Sequence, residues 1–137
     1  MQSLWAVLCR SCSVDQTSNA LSVFEIVEEI QVIEPDAAAI PDGALIEREL
    51  SLVAMFGRSG DAPEKGELRL RLVTPKKETP MGAMVVDLEN HKRYRLIARL
   101  PGIPFFGSGV YWFCMDDGQG RELVRYGVDL TVSPAAR

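Results

Sequence analysis

The sequence predicts an all-β protein: one antiparallel β-sandwich of about eight strands over residues 1–137, jelly-roll-like or immunoglobulin-like. Apolar and polar residues alternate in three separate segments, as they do along a strand that has one face in a core. Gly, Pro and Asp punctuate the short connections between the candidate strands. Strands and helical segments do not alternate along the chain, which argues against a parallel βαβ sheet.

The alternating segments lie in the second half of the chain and predict which face of each strand is buried. The residues expected in the core are Leu68, Leu70, Leu72, Tyr94, Leu96, Leu100, Val128 and Leu130. The residues expected to keep their guanidinium ends in water are Arg69, Arg71, Arg93, Arg95 and Arg99. A one-residue slip would exchange the two faces and bury unpaired arginines, so the register is strongly specified.

Four further segments are predicted to be strands, and they differ in how much of each strand is expected to be buried. Residues 4–10 form a first strand, and residues 45–56 form a long strand with Leu50, Leu52, Ala54 and Phe56 on one face. Residues 81–88 and 110–115 are more continuously apolar than the alternating segments, which is typical of central strands. Residues 89–91 form a tight hairpin turn, and residues 117–120 form a second turn.

Residues 21–33 fit both a strand and a helix. Ser22 and Glu25 have capping-box spacing, and Leu21, Phe24, Val27 and Ile30 recur at helical spacing. The many β-branched residues in the segment favour a strand. We expect a strand, with the helix as the alternative.

Composition and charge indicate a cytoplasmic protein that binds neither membranes nor nucleic acid. The apolar start lacks the basic residues of a secretory signal, and three cysteines are a poor disulfide framework. The net charge of −4 argues against nucleic-acid binding. Residues 1–64 hold 3 basic and 11 acidic residues, whereas residues 65–137 hold 12 and 8. Such a split either gives two oppositely charged surfaces or is neutralised within one fold.

The opening and closing segments of the chain resemble a group of uncharacterised bacterial proteins. The likeness is carried by residues 6–9 (AVLC), 13–15 (SVD), 19–24 (NALSVF) and 28–30 (EEI). Residues 109–113 (GVYWF) and 116–118 (DDG) are similar to the closing hairpin of that group. Because the group is a domain of unknown function, the resemblance implies a sandwich fold and a bacterial cytoplasmic setting, but no activity and no site residues.

The residues with metal-binding or catalytic chemistry form only a weak set. Cys9 and Cys12 have C-x-x-C spacing, and Cys114 with His91 could complete four ligands for zinc. Buried, unreactive thiols are the favoured interpretation, because the pair follows a strand instead of opening a helix. His91 is the one histidine, and it falls in a turn. We therefore expect no cofactor, no metal and no enzyme activity.

The favoured function is a non-catalytic protein-interaction module of a bacterial cytoplasmic system, pairing with itself or with another bacterial protein. An edge strand or the loop that carries Phe105 and Phe106 would make the contact, because two adjacent rings on a loop form an adhesive patch. Arg93 and Arg95 are further candidates for binding an acidic partner. The alternatives are a small-ligand or carbohydrate-binding sandwich that stacks its ligand on Trp5 or Trp112, and a metal-dependent enzyme.

Overall fold

A computed structural model describes residues 1–33, 40–47 and 49–133, and these residues form strands and no helix. The all-β prediction is therefore confirmed. Eleven strands follow in chain order: β1 Gln2–Val14, β2 Leu21–Ile26, β3 Glu29–Ile33, β4 Leu45–Ile46, β5 Leu50–Gly57, β6 Glu64–Val73, β7 Glu78–Leu88, β8 Arg93–Leu100, β9 Ile103–Pro104, β10 Gly109–Asp116 and β11 Glu122–Ser133. No helix in the described ranges is long and apolar enough to span a membrane.

The strands form two sheets that pack against each other, with a short third pair. The four-stranded sheet has the order β2-β1-β5-β8, and the five-stranded sheet has the order β3-β11-β10-β6-β7. Each strand pairing among the described residues is antiparallel except that of β3 with β11. The pair β4–β9 is separate from both sheets. Eleven strands exceed the eight expected, partly because β4 and β9 have two residues each.

The core lies between the inner faces of the two sheets. Its largest wholly buried side chains are Tyr111, Phe56 and Phe113. Phe113 pairs in register with Leu72 of β6, and Phe56 pairs with Tyr94 of β8. All the predicted core residues are buried except Tyr94, which is half-buried. The alternation of apolar and polar residues therefore identified the inner face of β6, β8 and β11 correctly.

Predictions about the neighbours of strands were less accurate than those about their faces. Residues 45–56 split into β4 and β5, although Leu50, Leu52, Ala54 and Phe56 do share the buried face. Residues 110–115 are central as expected, but residues 81–88 belong to the edge strand β7, where Val85 is 52% exposed. Residues 89–91 join β7 to β8, which lie in different sheets, so they do not close a hairpin.

Residues 21–33 are extended, as favoured, but they form two strands that belong to different sheets. β2 pairs with β1 in the four-stranded sheet, and β3 pairs with β11 in the five-stranded sheet. The crossing is held by the N–H of Val27, which donates to Leu8 O at 2.7 Å, and by Tyr126 Oη, which donates to Val27 O at 2.7 Å. These bonds satisfy backbone groups that belong to neither ladder.

The hairpin of β1 and β2 extends beyond β5 and folds back across the outer face of the four-stranded sheet. β5 pairs with β1 only as far as Cys9, whereas β2 pairs with β1 from Cys9 to Val14. Arg95 of β8, at the opposite edge of this sheet, donates from Nη2 to Asn19 O in the hairpin turn at 3.0 Å. We call residues 10–25 the β1–β2 arm. Within β2, Glu25 has a left-handed φ of 55°.

Coverage by the arm explains buried residues on what would otherwise be an open face. Val53 alternates with the core residues Leu52 and Ala54, so its side chain points away from the core, as does that of Cys9. Both are nevertheless 0% exposed. The four-stranded sheet thus carries a second apolar layer outside the sandwich core.

Replacing Leu96 by Ala should lower the free energy of unfolding by about 2–5 kcal/mol, through lost transfer energy and a residual cavity. Arg99→Ala on the same strand is the control, because Arg99 is exposed, and it should change stability by at most about 0.5 kcal/mol. Urea denaturation of both variants measures the difference. Equal losses would show that the inner and outer faces of β8 are wrongly assigned.

Candidate functional site

The candidate metal ligands do not come together. Cys9 lies on the outer side of the four-stranded sheet, Cys114 lies on the outer side of the five-stranded sheet, and His91 is exposed in the β7–β8 connection. Within the described residues no group of three His, Cys, Asp or Glu side chains is placed to hold a metal ion. Only Cys9 and Cys12 of the predicted set are neighbours, with their side chains close enough to hydrogen-bond.

All three cysteines are free. Their surroundings differ, so their thiols are expected to differ in reactivity. Burial, and then the proximity of Cys12, raises the pKa of the Cys9 thiol. Burial, followed by hydrogen bonding with Glu122, raises the pKa of Cys114 to about 11. Cys12 is half-buried on the arm. A raised pKa keeps a thiol protonated, and the protonated form is not a nucleophile.

In the folded protein at pH 8, iodoacetamide should therefore alkylate Cys12 well before Cys9 or Cys114. With a pKa of about 11, roughly one Cys114 thiol in a thousand is ionised at that pH, and its burial lowers access further. Mass spectrometry of peptides after timed labelling measures the order, and labelling in urea supplies the reference in which all three react. Alkylation of Cys114 as fast as Cys12 would contradict these environments.

The loop that carries Phe105 and Phe106 does not present two rings to solvent. Phe105 is 4% exposed and part of the core, so its assignment to an adhesive patch is wrong. Its backbone N–H donates to Ala44 O at 2.8 Å, which ties the loop to the β4–β9 pair. Phe106 is half-buried, with Lys77 Nζ 5.5 Å from its ring centre. The loop closes one end of the sandwich and offers only one partly exposed ring.

An ion-pair network crosses the outer face of the five-stranded sheet. Arg71 of β6 donates to both carboxylate oxygens of Asp116 on β10, at 2.6 and 3.2 Å. It also contacts Glu78 at 3.1 Å and Glu122 at 3.0 Å. The hydrogen bond to Asp116 raises the pKa of Arg71 above its usual range. Arg71 is only 25% exposed, so the expectation of a solvated guanidinium is wrong there, although it is confirmed for Arg69, which is 74% exposed.

Trp112 lies flat on this outer face because the residue opposite it has no side chain. Trp112 pairs with Gly127 of β11, and a Cβ at position 127 would be 2.6 Å from Cζ3 of the ring. The Arg125 guanidinium carbon lies over the ring, 5.1 Å from its centre. The Gly127 backbone and the Arg125 guanidinium both pack against the ring, which limits the ring area available to a stacking sugar.

Gly127→Ala should displace the Trp112 ring and destabilise the protein by about 1–3 kcal/mol, as overpacking does. Gly118→Ala in the β10–β11 turn is the control, because a Cβ there meets nothing within 4 Å. Acrylamide quenching of tryptophan emission should rise in the first variant alone. An unchanged quenching constant for Gly127→Ala would mean that the ring does not rest on the backbone.

The arginines of β8 form a basic row at the open edge of the four-stranded sheet. Arg93 and Arg99 are exposed, and in the part of the chain that the structure describes neither lies within 4.0 Å of a carboxylate. Arg95 is half-buried because it holds the arm, and its Nε is buried without an acceptor. Arg95 therefore has a structural contact, which limits its use as a partner-binding residue.

Exposed apolar side chains are concentrated on β1 and β2. Of the nine large apolar side chains exposed within the described residues, five lie on these two strands: Leu4 at 41%, Trp5 at 39%, Val14 at 40%, Phe24 at 51% and Ile26 at 53%. Ile26 is paired in register with Cys9, and Trp5 lies on the same outer face of β1 as Cys9. We call Trp5, Phe24 and Ile26 the apolar surface of the arm strands. Sequence reasoning missed Phe24 and Ile26, although both stand in a predicted strand.

Comparison with known proteins assigns no relative: no family model matches the chain, and no curated protein is significantly similar to it. The resemblance of the opening and closing segments to uncharacterised bacterial proteins therefore stays a prediction.

Proposed function

We propose that the protein is a non-catalytic protein-interaction module of a bacterial cytoplasmic system, and that the apolar surface of the arm strands is its docking site. The observation that carries the proposal is the exposure of Trp5, Phe24 and Ile26 on two paired strands. Soluble monomers rarely leave large apolar side chains exposed together, and such clusters mark interaction sites. The bacterial cytoplasmic setting rests on the resemblance of the sequence and on the three free thiols.

The open edge of β2 adds hydrogen-bonding capacity to this surface. β2 pairs with β1 on one side, and within the described residues no strand pairs with its other side. An unpaired edge presents a row of N–H and C=O groups that can pair with an added strand. Phe24 and Ile26 lie on this edge strand, and exposed aromatic and apolar side chains can supply the anchors that carry most of the binding energy at protein interfaces.

The charges around the surface favour a different protein as the partner over a second copy of this chain. Glu25, Glu28 and Glu29 are exposed beside Phe24 and Ile26, and the side chain of Glu25 is 79% exposed. Arg10 lies near Glu25 but is also paired with Glu47. Two copies that met by the same surface would bring acidic rims together, which is repulsive. The partner should therefore have an apolar surface with a basic rim.

Site-specific photocrosslinking tests the docking site. A photoreactive phenylalanine analogue at position 24 should give one discrete adduct with a different protein in cells of the native host. The same analogue at position 85 is the matched control, since Phe24 and Val85 are 51% and 52% exposed but Val85 lies on β7 at the other side of the sandwich. Trp5→Ala should reduce the adduct at position 24 about tenfold, as loss of an interface anchor does.

Three results of the same experiment would contradict the proposal. Equal adducts at positions 24 and 85 would indicate nonspecific contact, and the absence of a discrete adduct at position 24 would remove the docking site. An adduct with twice the mass of the chain would show self-association, and the partner of different sequence would then be wrong.

A further inference from the structure

A cavity of about 400 Å³ opens where β1, β5 and the β7–β8 connection meet. Its walls include Gln2, Leu4, Gly57, Arg58, Lys92 and Arg93. Three of these six residues are cations. Asp61, which also lines the cavity, contributes the one carboxylate among the lining residues. Two of the three cations, Lys92 and Arg93, come from the basic second half of the chain, and Arg58 comes from the acidic first half.

Arg58 is fixed in place by backbone carbonyls, so its charge is positioned without being neutralised. Its Nε donates to Leu88 O at 2.7 Å, Nη1 to Asp61 O at 3.2 Å and Nη2 to Glu89 O at 3.0 Å. In the described ranges no carboxylate oxygen lies within 4.0 Å of the Arg58 guanidinium. A rigid, half-buried cation that lacks a counter-ion attracts an anion into the adjoining space.

Lys92 and Arg93 add donors that are still available. Both are exposed, and among the described residues neither donates a side-chain hydrogen bond or forms an ion pair. The Arg93 guanidinium presents a planar fork of N–H groups that matches two oxygens of an oxyanion, whereas Lys92 is a mobile point charge. Gly60 leaves the rim open, because a Cβ there would meet nothing within 4 Å.

We propose that this cavity binds the phosphate group of a small phosphorylated molecule. Three cations against one carboxylate suit a doubly charged oxyanion better than a single carboxylate. Leu4, which is 41% exposed, gives the organic part of the molecule an apolar wall. The site uses Arg93, a predicted partner-binding residue, but Trp5, Phe24 and Ile26 of the docking surface are not among the residues that line it.

Isothermal titration with inorganic phosphate, at constant ionic strength maintained with chloride, tests the site. The wild-type protein should bind phosphate with a dissociation constant below about 10 mM. Arg93→Glu should weaken binding at least tenfold. Arg99→Glu is the matched control: it makes the same charge change on the same strand outside the cavity, and it should alter affinity less than twofold.

Amide shifts in the nuclear magnetic resonance spectrum locate the bound ion. Phosphate should shift the signals of Gly57 and Gly60 in the cavity wall and leave Gly118 and Gly120 of the β10–β11 turn unchanged. Circular dichroism confirms that Arg93→Glu is folded. No binding by the wild-type protein, an equal loss in Arg99→Glu, or shifts spread over all four glycines would overturn the proposal. None of these results bears on crosslinking at position 24.

Discussion

The packing of two apolar inner faces against each other is the constraint on which the rest of the structure depends. Because side chains alternate along every strand, burying Leu96 and Leu100 of β8 also directs Arg93, Arg95 and Arg99 away from the core. A shift of one residue would place guanidinium groups between the sheets, where an unpaired charge costs several kcal/mol. The core therefore determines the register of the long strands and, through it, what each outer face displays.

The two outer faces are occupied in different ways. On the five-stranded sheet, Arg71, Asp116 and Glu122 form a network, and Trp112 packs against Gly127 and Arg125. On the four-stranded sheet, the β1–β2 arm covers an apolar layer that includes Val53. The arm hides this layer but leaves Trp5, Phe24 and Ile26 exposed, and this incomplete coverage makes the arm side the better candidate for protein contact.

Sequence periodicity predicted well which face of each strand is buried, but it predicted poorly which strands lie side by side. The reason is physical. Alternation in residues 67–72 reports that one side of the strand is buried, and it was right for Leu68, Leu70 and Leu72. It does not report which strands lie alongside, so β7 was taken as central although it is an edge. The arm, the burial of Phe105 and the cavity beside Arg58 depend on contacts between distant segments, such as Arg95 with Asn19. The chain pattern contains no local signal for such contacts.

The parallel pairing of β3 with β11 has a consequence for how the chain folds. Glu29 and Asp129 are in register although they are about one hundred residues apart. Bringing these two segments together therefore costs a loop-closure free energy of roughly 4 kcal/mol before any contact offsets it. Among residues 1–33, 40–47 and 49–133, β3 pairs with no strand other than β11, and the Val27–Glu28 crossing gains its bonds from Tyr126 and Asp129 only when β11 is in place. The last strand, β11, thus pairs with a strand near the start of the sequence. Pairing between such distant segments favours a slow, cooperative folding step, on the millisecond-to-second scale typical of β-sandwiches with many non-local contacts.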